Sequence, residues 1–260
     1  MLVLYELGKG GCGIVYKVEG TRGKNKGLYA AMKAEFADGK CHKLPKTLAA
    51  EAFVLRRMQW SKHFCRLHLA GRRSPNCNIV IMSLVGRSLS WLRRQNPGQR
   101  FTLSTAIRVG LQCLQAVEDL HSTGFLHRDI KASNFAIGHN RCRTIYLIDF
   151  GFARSYLEKI NGELKHRPPR LVAPYLGTRR YCSINAHKRI DQGAHQQFGE
   201  EYLLRNCPYE FYKIYDHTNA LNLTERPDYD MIKNKFYEII ERKKYLLDDP
   251  YDWEEGGRYD

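Results

Sequence analysis

The amino-acid sequence predicts a two-lobed α+β domain, in which a strand-rich N-terminal part is followed by a mainly helical C-terminal part. Alternating apolar residues flank a glycine cluster near the N-terminus, which is the pattern of paired strands. Further along, apolar residues recur at helical spacing through Leu103–His121. The length of 260 residues fits one bilobal domain or two small ones.

The N-terminal part is predicted to hold three strands and a helix. Apolar residues alternate over Val3–Leu7, before the glycines, and over Ile14–Val18, after them. A third strand over Leu28–Ala34 follows a turn rich in glycine, lysine and asparagine. Lys46–Met58 has one apolar face at helical spacing, which predicts a helix packed against this sheet.

The C-terminal part begins after a short buried strand at Ile79–Met82. Its longest helix can be capped by Thr102 or Ser104. Asp149–Asn185 is predicted to be mostly loop. The further predicted elements are helices over Ser88–Arg94, Leu103–His121, Tyr209–Leu221 and Asp228–Lys244, and strands over Phe135–Ile137 and Thr144–Ile148.

Composition excludes several classes of protein. The longest apolar run, Ile79–Val85, contains Ser83 and is far shorter than the ~20 residues of a membrane span. Charge and glycine follow Met1–Leu7 at once, so no signal peptide is expected. The eight cysteines form no C-x-x-C pair and the ten histidines no H-E-x-x-H pair, which argues against zinc and disulfides. Reduced thiols are typical of a cytoplasmic protein, with the nucleus as a second possible compartment.

The chain is strongly basic. Its net charge is +15, and the acidic segment Asp248–Asp260 leaves an excess of +20 on residues 1–247. A body of that charge attracts polyanions, which include nucleic acid, anionic membranes and acidic or phosphorylated proteins. A solvated basic surface that only keeps the protein soluble is the other interpretation, and charge alone does not choose between them.

Two motifs in the N-terminal part indicate phosphate binding. Gly8–Val15 reads G-x-G-x-x-G-x-V between two strands, and glycines let such a loop lie close to a phosphate chain. A strand rather than a helix follows Gly13, so a Rossmann-type site is excluded. Lys33 ends the third strand among apolar residues, where a buried ammonium needs a partner. Alone it indicates a strand-edge lysine, but the preceding loop and Glu51 on the next helix favour a phosphate grip.

A second pair of motifs lies in the C-terminal part. His127-Arg128-Asp129 is followed by an asparagine five residues after the aspartate, and Asp149-Phe150-Gly151 follows a predicted strand. We expect Asp129 to align an attacking hydroxyl and accept its proton, and Lys131 to offset charge on a transferring phosphoryl group. Asn134 and Asp149 supply the oxygen ligands that Mg²⁺ prefers.

With these motifs in this order, the chain resembles the eukaryotic protein kinases, specifically the casein kinase 1 group. That group is marked by Ser183-Ile184-Asn185, preceded here by the Gly177–Tyr181 stretch. Within the group the chain is most similar to the tau-tubulin kinase-like branch. The resemblance covers nearly the whole chain. The further segments that carry it are Phe101–Thr105, Gly124–Asp129, Ser183–His187, Arg226–Tyr229 and Tyr251–Glu254.

The resemblance implies a bilobal kinase fold with an N-lobe over 1–82, a hinge over 83–87, a C-lobe over 88–247 and an acidic tail over 248–260. It implies ATP and Mg²⁺ as cofactors, with Lys33, Glu51, Asp129 and Lys131 catalytic and Asn134 and Asp149 binding metal. Arg180 is expected either to bind an acidic or phosphorylated substrate or to order its own loop by a structural ion pair. The implied nucleotide-binding residues are Leu7, Gly8, Lys9, Gly10, Gly11, Gly13, Val15, Ala31, Lys33, Met82 and Leu84.

One departure from the family is large. The group has a long apolar helix after the position of Asn185, whereas His187–Asn206 is mostly polar here, so some tens of residues are expected to be missing. We therefore expect a C-lobe that lacks its central apolar helix, low stability and weak catalysis. The function expected is a monomeric serine/threonine kinase for acidic or phospho-primed proteins. The alternatives are a pseudokinase or scaffold and, less favoured because no recognition motif is visible, a nucleic-acid-binding module.

Overall fold

The structure is a computed structural model, and it describes residues 1–10, 13–36, 47–168, 177–181, 204–222 and 224–257. It confirms the two-lobed α+β architecture, with a five-stranded antiparallel sheet and one α-helix among the described residues of the N-lobe. None of the described helices is long and apolar enough to cross a membrane. The N-lobe elements are β1 (Leu2–Gly10), β2 (Gly13–Glu19), β3 (Tyr29–Phe36), α1 (Thr47–Arg57), β4 (Leu67–Ser74) and β5 (Cys77–Met82).

Strand register decides which N-lobe side chains meet. The sheet order is β1-β2-β3-β5-β4. Val15 lies opposite both Gly8 and Lys33, and Ala31 lies opposite Met82. Directly paired residues share a face, as do residues two apart along one strand. Val15, Ala31, Lys33 and Met82 therefore lie on one face of the sheet.

The C-lobe is built on a long helix and a small three-stranded sheet of order β6-β8-β9. Ser83 and Leu84 connect it to β5. Its helices are α2 (Leu89–Gln95), α3 (Leu103–Ser122), α4 (Glu210–Ala220) and α5 (Tyr229–Lys243). Its strands are β6 (Val85–Ser88), β7 (Phe125–Leu126), β8 (Phe135–Gly138), β9 (Ile145–Leu147), β10 (Arg154–Ser155), β11 (Leu157–Ile160) and β12 (Glu163–His166).

Two apolar clusters hold these elements together. The larger joins α1 to the C-lobe, because Leu55 and Met58 belong to the same buried group as Leu147 and Phe150. The smaller packs α3 against α5. There, a Cβ at position 110 would lie 2.5 Å from the ring of Phe236, so a glycine at this position lets the two helices approach closely.

The cap of α3 is Thr102, whose hydroxyl accepts a hydrogen bond from the amide of Thr105 at 3.2 Å. The other predicted cap, Ser104, has a buried hydroxyl without a hydrogen-bond partner among the described residues. Thr102 also donates its amide and hydroxyl to the buried carboxylate of Asp252, both at 2.7 Å. The acidic C-terminal segment is thus fastened to the start of α3.

Several strands were not predicted from the sequence. Strand β6 begins inside the hinge expected over 83–87, and the two-residue strands β7 and β10 carry no pattern long enough to read. Strand β4 was not predicted, because its side chains are mostly exposed and it contains a glycine and two arginines. The region expected to be loop after Asp149 contains the β11–β12 hairpin. The expected absence of a central apolar helix falls within 182–203, which lies outside the described residues.

Candidate active site

The β8–β9 hairpin brings two predicted metal ligands to one end of the small sheet. Phe135, the first residue of β8, lies opposite Leu147, the last residue of β9. Asn134 directly precedes β8 and Asp149 follows β9 by two residues. The amide of Ile148 donates to the carbonyl of Asn134 at 2.9 Å, which closes this end of the hairpin.

The backbone at Asp149 separates an aromatic ring from a carboxylate. Asp149 has a φ of 65°, a left-handed conformation that few residues other than glycine adopt. Phe150 turns inward, is 1% exposed and stacks on Phe64 with ring centroids 5.5 Å apart. The Asp149 carboxylate remains 39% exposed and receives the ammonium of Lys33 at 2.9 Å. The strained turn therefore buries the ring and presents the acid.

Lys33 lies between two carboxylates. Its Nζ contacts Oε2 of Glu51 at 2.6 Å as well as Asp149, and both Lys33 and Glu51 are buried. Burial opposes the charge on Lys33, but the charges of Glu51 and Asp149 outweigh it and raise the pKa of the lysine. Burial also raises the pKa of Glu51, with Lys33 acting against the shift. The ammonium is therefore held in place and charged throughout the neutral range.

Asp129 is the most heavily hydrogen-bonded acid of the site. Its Oδ2 accepts from Lys131 at 2.7 Å and from the side-chain amide of Asn134 at 3.1 Å. Its Oδ1 accepts from the amide and hydroxyl of Thr178 at 2.9 and 2.8 Å. Burial raises the pKa of Asp129, but these hydrogen bonds outweigh it, and the net pKa lies below the usual value. The carboxylate is therefore fixed and ionised.

His127 and Arg128 connect the loop that carries Asp129 to the segment after β9. The amide of Asp129 donates to Nδ1 of His127 at 3.3 Å, so Nε2 is the nitrogen that donates to the Ile148 carbonyl, 3.1 Å away. Burial lowers the pKa of His127, which suits this neutral form. Arg128 has a φ of 65° and donates through Nε to the Phe152 carbonyl at 2.6 Å. The loop that carries Asp129 and the segment after β9 thus together fix the Asp129 carboxylate.

The predicted nucleotide-binding residues lie on β1, β2 and β3 and around the end of β5, and they differ in burial. Ala31 and Met82 belong to the inter-lobe core, and Val15 and Leu84 pack against it. Leu7 is outside that cluster and remains 48% exposed. Gly8, Lys9 and Gly10 end β1, Gly13 begins β2, and Gly11 lies outside the described residues.

Gly13 is required by the backbone itself. Its φ is 113°, and a Cβ there would lie 2.3 Å from the carbonyl oxygen of Ala34. No L side chain fits that position without displacing β3. The glycine loop is therefore anchored to the strand that carries Lys33.

Thr178 is a site residue that sequence reasoning missed. Besides its two bonds to Asp129, its hydroxyl accepts from Lys131 Nζ at 2.6 Å. The signal was present, because Thr178 belongs to the Gly177–Tyr181 stretch from which only Arg180 was selected. Arg180 itself is exposed in the short turn of helix Arg179–Tyr181, two residues beyond Thr178.

The oxygen donors fit a magnesium ion held together with phosphates. Asn134 uses its amide nitrogen on Asp129, which leaves its amide oxygen for a cation. Asp149 offers a partly exposed carboxylate. Among the described residues, no cluster of three or more His, Cys, Asp or Glu side chains could hold a metal. Mg²⁺ usually takes one or two protein oxygens together with substrate phosphates, so this donor set suits it.

The two-lobed fold and the charged groups where the lobes meet match the arrangement of a protein kinase, and comparison with known proteins agrees. The protein kinase domain family matches residues 2–191. A Caenorhabditis elegans protein named as a serine/threonine-protein kinase is 29% identical, over 97% of this chain and 81% of that protein. The serine/threonine-protein kinase spe-6 of the same organism is 30% identical, over 88% of this chain and 69% of its own length. The chain belongs to the protein kinase family.

The relatives also carry segments that this chain does not have. A Dictyostelium discoideum protein, likewise named as a serine/threonine-protein kinase, is 30% identical over 97% of this chain. That alignment runs over 289 residues and the first Caenorhabditis elegans alignment over 287, although the chain has only 260. The chain spans 56% of the Dictyostelium protein.

Proposed function

We propose that this protein is an ATP-dependent serine/threonine kinase of the casein kinase 1 type, acting on acidic or already phosphorylated proteins. The observation that carries the proposal is the constellation around Asp129. A buried carboxylate is held by Lys131, Asn134 and Thr178, and the Lys33–Glu51 pair is also formed.

Asp129 would act by positioning the substrate more than as a strong base. A serine or threonine hydroxyl would donate to Oδ1 or Oδ2 in place of one present donor. Its proton would pass to that oxygen as the hydroxyl oxygen bonds to the γ-phosphorus of ATP, while the bond from that phosphorus to the bridging oxygen breaks and ADP leaves. Because hydrogen bonds keep the pKa of Asp129 low, the carboxylate is a weak proton acceptor. A loose phosphoryl-transfer transition state demands little base strength, so alignment is the larger contribution.

The neighbouring cations would stabilise charge. Lys131, 2.7 Å from Asp129, would offset charge on the transferring group. Lys33 would hold the α- and β-phosphates, oriented by Glu51. Asn134 and Asp149 would hold Mg²⁺, which when bound neutralises the phosphate oxygens. Each of these groups is fixed before substrate arrives.

The narrower specificity is supported by charge. The excess of +20 on residues 1–247 favours acidic partners over basic ones. Arg180 is exposed close to Thr178, and thus close to Asp129, where it would pair with a carboxylate or phosphate of the substrate. The Ser183–Asn185 stretch agrees with the casein kinase 1 type.

A nucleotide-binding scaffold without phosphoryl transfer is the second candidate. The observation in its favour is that the relatives align over more residues than this chain contains. If this chain is such a scaffold, Lys33 and Asp149 would still hold a nucleotide, while the support beneath Asp129 would be weakened.

Phosphotransfer to matched serine peptides tests the proposal. We expect an acidic or phosphorylated peptide to be used with a much lower KM than a neutral or basic one. Arg180→Ala should raise the KM for acidic peptides only, whereas Arg22→Ala, at an exposed site in the N-lobe, should leave it unchanged. A uniform loss across all peptides would assign Arg180 to loop structure. Nucleotide binding without any transfer would favour the scaffold.

A further inference from the structure

The positive charge of this protein is concentrated in one stretch of the chain. Residues 52–117 contain eleven lysines and arginines and no aspartate or glutamate, and nine of the eleven cations are exposed. Within the described part of the chain, ion pairs hold cations elsewhere, such as Arg143 and Arg242, but none of these eleven. Asp119 and Asp252, which contact the stretch from outside it, are both buried. The charge of this surface is therefore uncompensated.

The basic residues of the N-lobe lie together where α1 meets β4. Arg56, near the end of α1, and Arg72, on β4, line one depression of the surface. The side chain of Gln59 donates to the carbonyl of Cys65 at 3.0 Å, which ties the turn after α1 to the residues before β4. Arg66 follows Cys65 directly, so it lies beside that turn.

Hydrogen bonds carry this basic surface from the N-lobe to the C-lobe. The amide of Arg66 donates to the hydroxyl of Ser83 at 3.0 Å, and the amide of Ser83 donates back to the carbonyl of Arg66 at 2.9 Å. Four residues beyond Ser83, Arg87 lies 4.6 Å over the ring of Trp91, and Arg94 is exposed on the same helix, α2. We call this surface the hinge-side track, and its residues are Arg56, Trp60, Arg66, Arg72, Arg87 and Arg94.

An aromatic ring stands free beside the N-lobe part of the track. Trp60 follows Gln59 in the turn after α1 and is 62% exposed, with no ring or hydrogen-bond partner among the described residues. Charge alone suits any polyanion, but a flat exposed ring among cations also suits a base, which stacks on it while its phosphates meet the arginines. A lipid surface would need these groups in one plane, whereas the track passes from one lobe across the hinge to the other.

We propose that the hinge-side track binds single-stranded nucleic acid, with phosphates along its arginines and one base stacked on Trp60. A single strand is required because a duplex hides the faces of its bases. Binding of this kind depends on charge and stacking rather than on sequence, so it needs no recognition motif. It uses none of the groups around Asp129 or Lys33, and it is therefore an activity beyond the proposed phosphoryl transfer.

Fluorescence anisotropy of a labelled oligouridylate, titrated at several KCl concentrations, tests the phosphate contacts. About five contacts to a single strand give a slope of about −3.5 for the logarithm of affinity against the logarithm of salt. Arg66→Ala and Arg87→Ala should each weaken binding and make that slope shallower by about 0.7. The matched control is Lys24→Ala, at an exposed cation in the turn between β2 and β3, which should change neither quantity.

The stacked base is tested on the same oligouridylate. Trp60→Ala should weaken binding by about ten-fold while leaving the salt slope unchanged, because the ring carries no charge. Trp60→Phe should keep most of the affinity. Tyr237→Ala, at a 48% exposed aromatic residue of α5, is the control and should bind as wild type does.

Three results would overturn the proposal: no binding at low salt, a slope that Arg66→Ala and Arg87→Ala leave unchanged, or a Trp60→Ala variant that binds as tightly as Tyr237→Ala. Polyglutamate bound as tightly as oligouridylate would show that acidic protein is the ligand, which also overturns it. Binding of phosphatidylserine vesicles that depends on Trp60, without binding of oligouridylate, would assign the track to a membrane and overturn it as well.

Discussion

Replacing Lys33 by methionine should destabilise the protein in a pH-dependent way, because it leaves the buried carboxylate of Glu51 without its cationic partner. Glu51 has a side chain 3% exposed and loses its nearest cation in Lys33→Met. Removing one partner of a buried ion pair typically costs about 3–5 kcal/mol. Glu51 can avoid this cost only by binding a proton, which removes its unpaired charge. For a glutamate with an unfolded pKa of about 4.3, protonation costs about 4 kcal/mol at pH 7.5 and less than about 2 kcal/mol at pH 5.5.

The direction in which stability changes with pH follows from the pKa of Glu51. Burial raises the pKa of Glu51 in the folded protein, and without Lys33 nothing opposes that shift as strongly. At pH values between the ordinary and the raised pKa, Glu51 therefore carries a proton in folded Lys33→Met but not in the unfolded chain. Its stability falls as pH rises through the raised value and recovers as pH falls toward the ordinary one. Wild type, in which Lys33 opposes the shift of Glu51, should show a smaller slope than Lys33→Met.

Urea unfolding followed by tryptophan fluorescence would measure the effect. Lys33→Met should lose about 3–4 kcal/mol at pH 7.5 and clearly less at pH 5.5. Adding Glu51→Gln should restore part of the stability lost at pH 7.5, since the double variant has no buried carboxylate at position 51. The effects of the two substitutions in this double-mutant cycle should therefore be non-additive. Lys26→Met, at an exposed lysine, is the control. Equal losses at both pH values, or additive ones, would refute the reasoning.

Three other outcomes are expected. Thr178→Val should lower kcat by about a hundred-fold while Thr178→Ser retains most activity, because the hydroxyl aligns Asp129. Burial lowers the pKa of His121 to about 4, so this residue alone should contribute a loss of about 1 kcal/mol of stability as pH falls from 7 to 5.5, where the unfolded histidine gains a proton; urea unfolding of His121→Gln should show a flatter profile than wild type. Asp252→Ala should destabilise by about 3 kcal/mol in thermal or urea unfolding, while Glu255→Ala, at an exposed acid, should have little effect.

The sequence was most informative where one local pattern determines the structure. Helix α3 could be placed because its apolar spacing persists over five turns, and β2 because glycine and alternation mark its start and course. The hairpin β11–β12 has no apolar face to reveal it, since β12 is exposed throughout. Its signal was the Asn161-Gly162 pair, whose φ values of 51° and 89° form the tight turn that such a pair favours.

The candidate site divides in the same way. Lys33, Glu51, Asp129 and Asp149 stand in recognisable motifs. The structure joins Lys33 to Glu51 and Asp149 by ion pairs, and Asp129 to Asn134 by a hydrogen bond. Thr178 was missed although it stands in the Gly177–Tyr181 stretch, because nothing in that stretch shows that its amide and hydroxyl contact Asp129. Nor does spacing along the chain show that the ring of Phe150 is buried, since this depends on the left-handed backbone at Asp149.

The central claim is that the buried, hydrogen-bonded carboxylate of Asp129 directs phosphoryl transfer, and one paired measurement on Asp129→Asn tests it most directly. Transfer of the γ-phosphate of ATP to an acidic serine protein and the affinity for ATP would be measured on the same preparations. Kinases turn over at about 1–100 per second, so a loss of several decades is easily seen. The account predicts that Asp129→Asn binds ATP almost as wild type does and transfers at a rate lower by about a thousand-fold or more. Near-normal transfer by the variant, or no transfer by wild type that binds ATP, would contradict it.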